Sequence, residues 1–244
     1  MPALHGSAAA RSTDVYIPEL TYTFYAPIVL VSILIGLAVA CYLMRLSGAS
    51  KQTVMYTALL TFVMIIAVAF MTSVVLSGSI RKAGFAAAGG ALGLASGVVI
   101  SALIHRDHTA ESVASWIVAA PLMYGLSKIA CHIAGCCNGI PYDGALCVRY
   151  GAKSGAAYFP VQLLETVVFL LIFAAGLFMY LKTSRQLRVA CIVITVSCIA
   201  KVLLEFLRES HMGKAISGYQ ILVMVITAVF LIVFVRMDKG RSEA

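Results

Sequence analysis

The sequence is short of charge. Of its 244 residues only 11% are Asp, Glu, Lys or Arg, while 61% are hydrophobic. A soluble domain carries roughly a quarter charged residues, so this composition, with a mean hydropathy of +0.98, excludes a soluble globular protein and points to a polytopic membrane protein. Internal repeats, low-complexity tracts and Pro-, Gly- or Ser-rich linkers are also lacking, and little polar chain separates the apolar stretches, so a second, soluble domain has no room. Acidic residues are fewer than basic ones, 10 against 18, for a net charge of +8. In so apolar a chain that excess fits anionic lipid headgroups and topology signals, and a nucleic-acid partner is not expected. The alternating pattern of membrane β-strands is missing as well. The first 23 residues are polar, with Arg11, Asp14 and Glu19 ahead of any apolar run. They lack the order of a cleavable signal peptide, so the first apolar segment is expected to stay as an anchor.

What the sequence does have is length in its apolar runs. A helix crossing about 30 Å of hydrocarbon needs about 20 residues, and seven stretches reach that length: 24–46, 54–76, 84–104, 113–135, 159–182, 188–208 and 216–235. The expected fold is all-α, a polytopic integral membrane protein with seven transmembrane helices. Residues 1–23 form an external tail, 24–235 the helical domain and 236–244 a cytoplasmic tail. Of the Lys and Arg in the loops and tails or at the span ends bordering them, nine fall on the side of the C-terminus and seven on the side of the N-terminus. The positive-inside rule then places the N-terminus outside and the C-terminus inside.

Polar groups inside a bilayer are costly, so each is expected to face a partner, a cavity or a substrate. Here they gather toward one membrane face. Lys128, His132 and Asn138 lie near the end of span four, Gln162 and Glu165 open span five, Lys201, Glu205 and Arg208 close span six, and Ser217 and Gln220 open span seven. The glycine-rich start of span three, with Gly89, Gly90, Gly93 and Gly97, belongs to the same leaflet and lets a helix backbone or a lipid come close. Together they outline one polar cavity on the external side. Each residue also has a plainer reading. The glycines serve helix packing, the charges at i, i+3 and i+4 form a structural ion-pair network, and the glutamines act as interhelical hydrogen-bond partners.

Seven cysteines are present, of which Cys41, Cys191 and Cys198 lie mid-span, where small apolar packing accounts for them. Cys131, Cys136, Cys137 and Cys147 stand close together but without the paired C-x-x-C spacing of a recognisable zinc site, so no metal is expected. Cys147 paired with Cys136 or Cys137 as a disulfide, and a cluster of free thiols, are both compatible with the spacing. His132 reads as a general base or as a buried partner of Glu165. His105 and His108 read as solvated loop residues.

The chain resembles the prolipoprotein diacylglyceryl transferase family from about Tyr25 to Gln220. Phe159-Pro160-Val161-Gln162-Leu163-Leu164-Glu165 is similar to the family's His-Pro-x-Gln-Leu-Tyr-Glu, and Leu204-Glu205-Phe206-Leu207-Arg208 to its Glu-Phe-x-Arg segment. Ala88-Gly89-Gly90 looks like its His-Gly-Gly run, Ser217 to Gln220 like the start of its last helix, and Tyr25 like its first-helix tyrosine. Departures concentrate between Lys128 and Gly139, where lysine stands for arginine and cysteines for asparagine and glutamate, a pattern similar to a divergent Ala-Gly-Cys-Cys-x-Gly branch. Lys201 stands for a second arginine.

The resemblance implies transfer of a diacylglyceryl group from phosphatidylglycerol to the cysteine thiol of a lipoprotein precursor, at the boundary of its signal peptide, in the bacterial cytoplasmic membrane and without a cofactor. Lys128, Lys201 and Arg208 would then hold the phosphate. Glu165 and His132 would be candidate bases, Glu205 would orient Arg208, and Gln162 and Gln220 would hold the donor glycerol. Tyr25, Gly89, Gly90 and Asn138 would complete the substrate site. Rival readings are a family member with another lipid or acceptor, a protein that binds or moves an anionic solute without chemistry, and a thiol redox protein.

Overall fold

The computed structural model describes residues 15–17, 22–80, 85–106, 109–150 and 156–242. Most of the 1–23 tail, with Arg11, lies outside them, as do Arg81, Lys82, His108 and Lys153. Among the described residues are seven α-helices: α1 (Tyr25–Leu46), α2 (Lys51–Ser77), α3 (Ala87–Ile104), α4 (Thr109–Ala134), α5 (Val161–Lys182), α6 (Gln186–Glu205) and α7 (Gly218–Ser242). They coincide with the seven apolar stretches. Five have the length and composition to cross a membrane, and α3 and α7 contribute shorter apolar stretches, Ala88–Ile104 and Gly218–Val233. The chain is an α-helical polytopic membrane protein. Helix α7 continues through residues 236–242, beyond the end of the last apolar stretch.

Helix α4 is the axis of the bundle. In its most apolar stretch 61% of residues are buried, against 22–39% in the other four long spans. Trp116, Val118, Ala114 and Ala119 are fully enclosed, and α1, α5 and α6 pack around them. The remaining helices expose large apolar side chains outward, among them Leu59, Val63, Leu171, Phe178 and Ile232, the surface a hydrocarbon layer covers.

Helix α3 lies against α2. Gly89, Gly93 and Gly97, at successive i+4 positions, form the contact, because a Cβ on any of them would run into Val68 and Thr72, Met64 and Ile65, or Thr61 of α2. Helix α7 packs mainly on α6. Its first turn is closed by a reciprocal cap: the Ser217 hydroxyl accepts from the Gln220 N–H at 3.2 Å, and the Gln220 side-chain oxygen accepts from the Ser217 N–H at 2.8 Å.

The two ends of the bundle differ. At one end a polar knot ties α1, α4, α5 and α6 together: the Tyr180 hydroxyl bonds to Ser47 at 2.7 Å and Ser115 at 2.8 Å, and Gln186 donates to Ser47 at 2.9 Å. At the other end a small sheet lies over the helix termini. Strand β1 (Val15–Ile17) runs parallel to β2 (Val148–Tyr150), which pairs antiparallel with β3 (Ala157–Tyr158). Segment 138–142 is held between its neighbours by backbone bonds. Ile140 and Glu209 exchange with Leu207 and Asn138 on one side, and Tyr142 and Phe159 with Ala157 and Ile140 on the other.

Candidate functional site

Beneath this sheet the ends of α4, α5 and α6 bring five charged side chains together. Glu165, one turn into α5, has no solvent exposure. Lys201 donates to its Oε1 at 2.7 Å, and Arg208 donates through Nη2 to both its oxygens, at 2.8 and 2.6 Å. The Tyr124 hydroxyl adds a bond at 3.1 Å, and the Lys128 ammonium lies 3.5 Å away. Glu205 pairs with Lys201 at 3.1 Å and with Arg208 at 3.3 Å, the i+4 and i+3 spacings read from the sequence. Three cations thus face two carboxylates.

Burial makes that cluster costly unless every member is paired. Aromatic faces supply part of the compensation. Lys128 sits over the Tyr124 ring at 4.6 Å, and Lys201 over Tyr219 at 5.1 Å and Tyr124 at 5.7 Å. Arg208 follows α6 in the sequence and is steered inward because its segment is bridged to Gly139 and Asn138.

A cavity of about 300 Å³ runs from this cluster into the bundle. Its polar end is lined by Tyr25, Tyr124, Ser127, Lys128, Lys201 and Tyr219, and the rest is mostly apolar, with Ser197 and Thr227 among residues that reach down to Ile33, Ile117, Ile194 and Phe230 near the middle of their helices. It stops short of the Ser47–Tyr180 knot. Both α3 and α7 line it, with little direct contact between them.

The residues expected at the site divide accordingly. Lys128, Lys201, Tyr25 and Gly90 line the cavity, while Glu165, Glu205 and Arg208 stand behind the two lysines. Gly89 is taken up by packing on α2. Gln220 is engaged by its cap, and its amide donates to the Val202 carbonyl at 3.0 Å, joining α7 to α6. Gln162 is buried, donates to the Cys136 carbonyl at 2.8 Å and to the Tyr150 hydroxyl at 3.3 Å, and keeps its own oxygen without a partner. Asn138 is buried in the bridged segment. His132 is half-buried with Nδ1 unpaired, and the groups on Glu165 are Lys128, Lys201, Arg208 and Tyr124. His105 stacks on Tyr56 on the far side of the bundle.

The thiols form a second cluster beside the first. Helix α4 ends in a Schellman turn: Gly135 adopts φ 65°, its N–H bonds to the His132 carbonyl at 3.2 Å, and the Cys136 N–H bonds to the Cys131 carbonyl at 3.1 Å. The chain doubles back, and the sulfurs of Cys131, Cys136 and Cys137 all come within 4.8 Å of one another. None of the seven cysteines is in a disulfide, and Cys147 is buried beside β2, outside this group. Hydrogen bonding from the Cys131 and Cys136 thiols, aided by the Lys128 and Arg208 charges, pulls the Cys137 thiol well below the usual range. Cys136 is pushed up by its bonds to the two neighbouring thiols and by burial. Burial raises the Tyr150 hydroxyl to about 12.

Tyr124, Tyr219 and Tyr150 belong to the site and were not singled out in the sequence. Tyr124 stands one turn before Lys128, the i+4 spacing that brings a ring beneath an ammonium. Cys131 enters the thiol cluster only through the turn at Gly135.

Comparison with known proteins adds two findings. Residues 13–236 match the family described as prolipoprotein diacylglyceryl transferase. A curated relative from Clostridium perfringens, phosphatidylglycerol--prolipoprotein diacylglyceryl transferase 2, is 24% identical over 170 residues, which cover 66% of this chain and 65% of that protein's length.

Proposed function

Because the chain belongs to the prolipoprotein diacylglyceryl transferase family, we propose that it moves a diacylglyceryl group from phosphatidylglycerol to the cysteine thiol of a lipoprotein precursor. The observation that carries this reading is the junction of a cation-rich cluster with a largely apolar cavity that reaches the middle of the bundle. A diacyl phospholipid has that same polarity: one negative phosphate joined to two chains that reach the bilayer midplane. We place its access route between α3 and α7, which line the cavity with little contact between them.

In this reading the acyl chains lie along the cavity and the phosphate meets Lys128 and Lys201 at its polar end. Arg208 and Glu165 stand one layer behind. Glu165, with its oxygens occupied by Lys201, Arg208 and Tyr124, is better suited to fixing the cations than to taking a proton. As the carbon–oxygen bond to phosphate breaks, negative charge grows on the leaving glycerol phosphate. Fixed cations in a site with little water stabilise that charge without having to reorganise. Lysines in place of forked guanidiniums attract the phosphate as point charges and orient it less strictly.

We further assign the N-terminus to the outside and the C-terminus to the cytoplasmic side of the bacterial inner membrane, on the nine-to-seven bias of basic residues. The site then faces the outer leaflet, where the cysteine at a signal-peptide boundary emerges. The direct test is to incubate the purified full chain with labelled phosphatidylglycerol and a peptide bearing that cysteine. A thioether-linked diacylglyceryl peptide is expected, and none with serine in place of the cysteine. Failure to form the thioether with the cysteine peptide removes the assignment.

A further inference from the structure

We propose that Cys131, Cys136 and Cys137 form a three-thiolate zinc site whose fourth position takes the acceptor's thiol. The inference rests on the transfer reaction assigned above and gives its site a means of turning the incoming thiol into a thiolate. Zinc–sulfur bonds of about 2.3 Å place tetrahedral sulfurs roughly 3.8 Å apart, and the three sulfurs here already lie within 4.8 Å of one another. The backbone sets that geometry, since the Gly135 turn fixes Cys136 over the last turn of α4. Gln162 holds the Cys136 carbonyl from the other side.

Thiolate ligands select soft or borderline metals, zinc among them. Three protein ligands with one open position is the arrangement of a catalytic zinc, whereas structural sites are closed by a fourth protein ligand. The cluster is not sealed: Cys131 is buried, Cys136 half-buried and Cys137 exposed. A thiol that coordinates zinc loses its proton outright, and the proton passes to solvent at this exposed edge. The zinc-held sulfur then attacks the glyceryl carbon of the donor. A carbon–sulfur bond forms, the carbon–oxygen bond to phosphate breaks, and the electron pair leaves with glycerol phosphate. No oxidant or reductant takes part.

The position suits the geometry of that attack. Lys128 and Cys131 are three residues apart on α4, a separation of roughly 5 Å along the axis, so the attacking sulfur and the donor phosphate would stand about one helical turn apart. Arg208 joins them from the strand-like segment bridged to Gly139.

The experiment uses the reduced full-length protein in detergent, loaded with zinc or cobalt(II). One metal per chain is expected, with an intense sulfur-to-cobalt charge-transfer band. The band disappears in the Cys136→Ser, Cys137→Ser double variant and persists in Cys41→Ser, whose thiol packs elsewhere on α1. Adding the cysteine peptide strengthens the band and the serine peptide leaves it unchanged. Stripping zinc lowers thioether formation by at least about 100-fold, the scale of losing activation of a nucleophile, and zinc restores it. Substoichiometric binding, or a band indifferent to the double variant, overturns the site. Undiminished product from the stripped enzyme overturns the metal's role and leaves the transfer reaction standing. A band that answers to the cysteine peptide, with no product from phosphatidylglycerol, upholds the site and overturns the reaction.

Discussion

Glu165 is the residue on which the charged cluster turns. Fully buried and bonded to Lys201, Arg208 and Tyr124, it is the counter-ion that lets three cations share one pocket. Removing one partner of such a group leaves uncompensated charge in a medium of low polarity, at a cost of about 3–5 kcal/mol. Glu165→Ala and Arg208→Ala are therefore each expected to abolish thioether formation while the protein still inserts in the membrane. Transfer retained in both variants, with normal expression, would show that the cluster is not the reactive centre. Tyr124→Phe is milder, because it removes a single bond to a carboxylate, an interaction of about 1.5–3 kcal/mol. It is expected to lower the melting temperature and leave a reduced but measurable rate.

Much of this cluster was legible in the sequence, since charges in apolar spans are costly enough to need partners. Lys128, Glu165, Lys201, Glu205 and Arg208 stood out for that reason. Their pairing was not legible, because it depends on how three helix ends meet. Gln220 points to a different limit. Its spacing from Ser217 is that of a reciprocal helix cap, yet it also matched a family glutamine, and the structure shows it engaged by the cap. The tyrosines escaped notice because an aromatic in an apolar span looks like packing until its cation is placed.

Among the elements, the pairing of α2 and α3 and the turn after α4 make the sharpest demands. Gly93 abuts the backbone of Met64 and Ile65, so Gly93→Val has nowhere to put its side chain and must push α3 off α2. Overpacking of this kind costs about 1–3 kcal/mol or more. The expected result is a lower melting temperature together with weakened transfer, since α3 forms one wall of the cavity. Gly90→Ala, by contrast, meets only Ala69 at 4.0 Å and should leave the melting temperature unchanged. A variant at Gly93 as stable as the wild type would mean that the two helices do not approach this closely. The helices themselves could be read from the length of the apolar runs. The sheet could not, because strands of two or three residues are too short for an alternating pattern to register.

At the scale of the whole molecule, the cavity ends near the middle of the bundle while the Ser47–Tyr180 knot closes the opposite end. A permeation path would need to pass that knot, whereas a lipid needs only half the membrane. Filling the cavity distinguishes the two uses. Ala95→Trp places a large ring in the lining of the cavity and is expected to raise the KM for long-chain phosphatidylglycerol more than for a short-chain analogue. An equal effect on both would place the acyl chains elsewhere.

The excess of cations over carboxylates in the buried cluster bears on how the protein behaves once it leaves the membrane. An anionic headgroup at the polar end of its cavity adds a counter-ion to those cations, so bound phospholipid is expected to act as a structural component of the folded state. Detergents that strip such lipid would leave the cations repelling one another across the α4–α6 contact, and the bundle would loosen first at the end where its chemistry is housed.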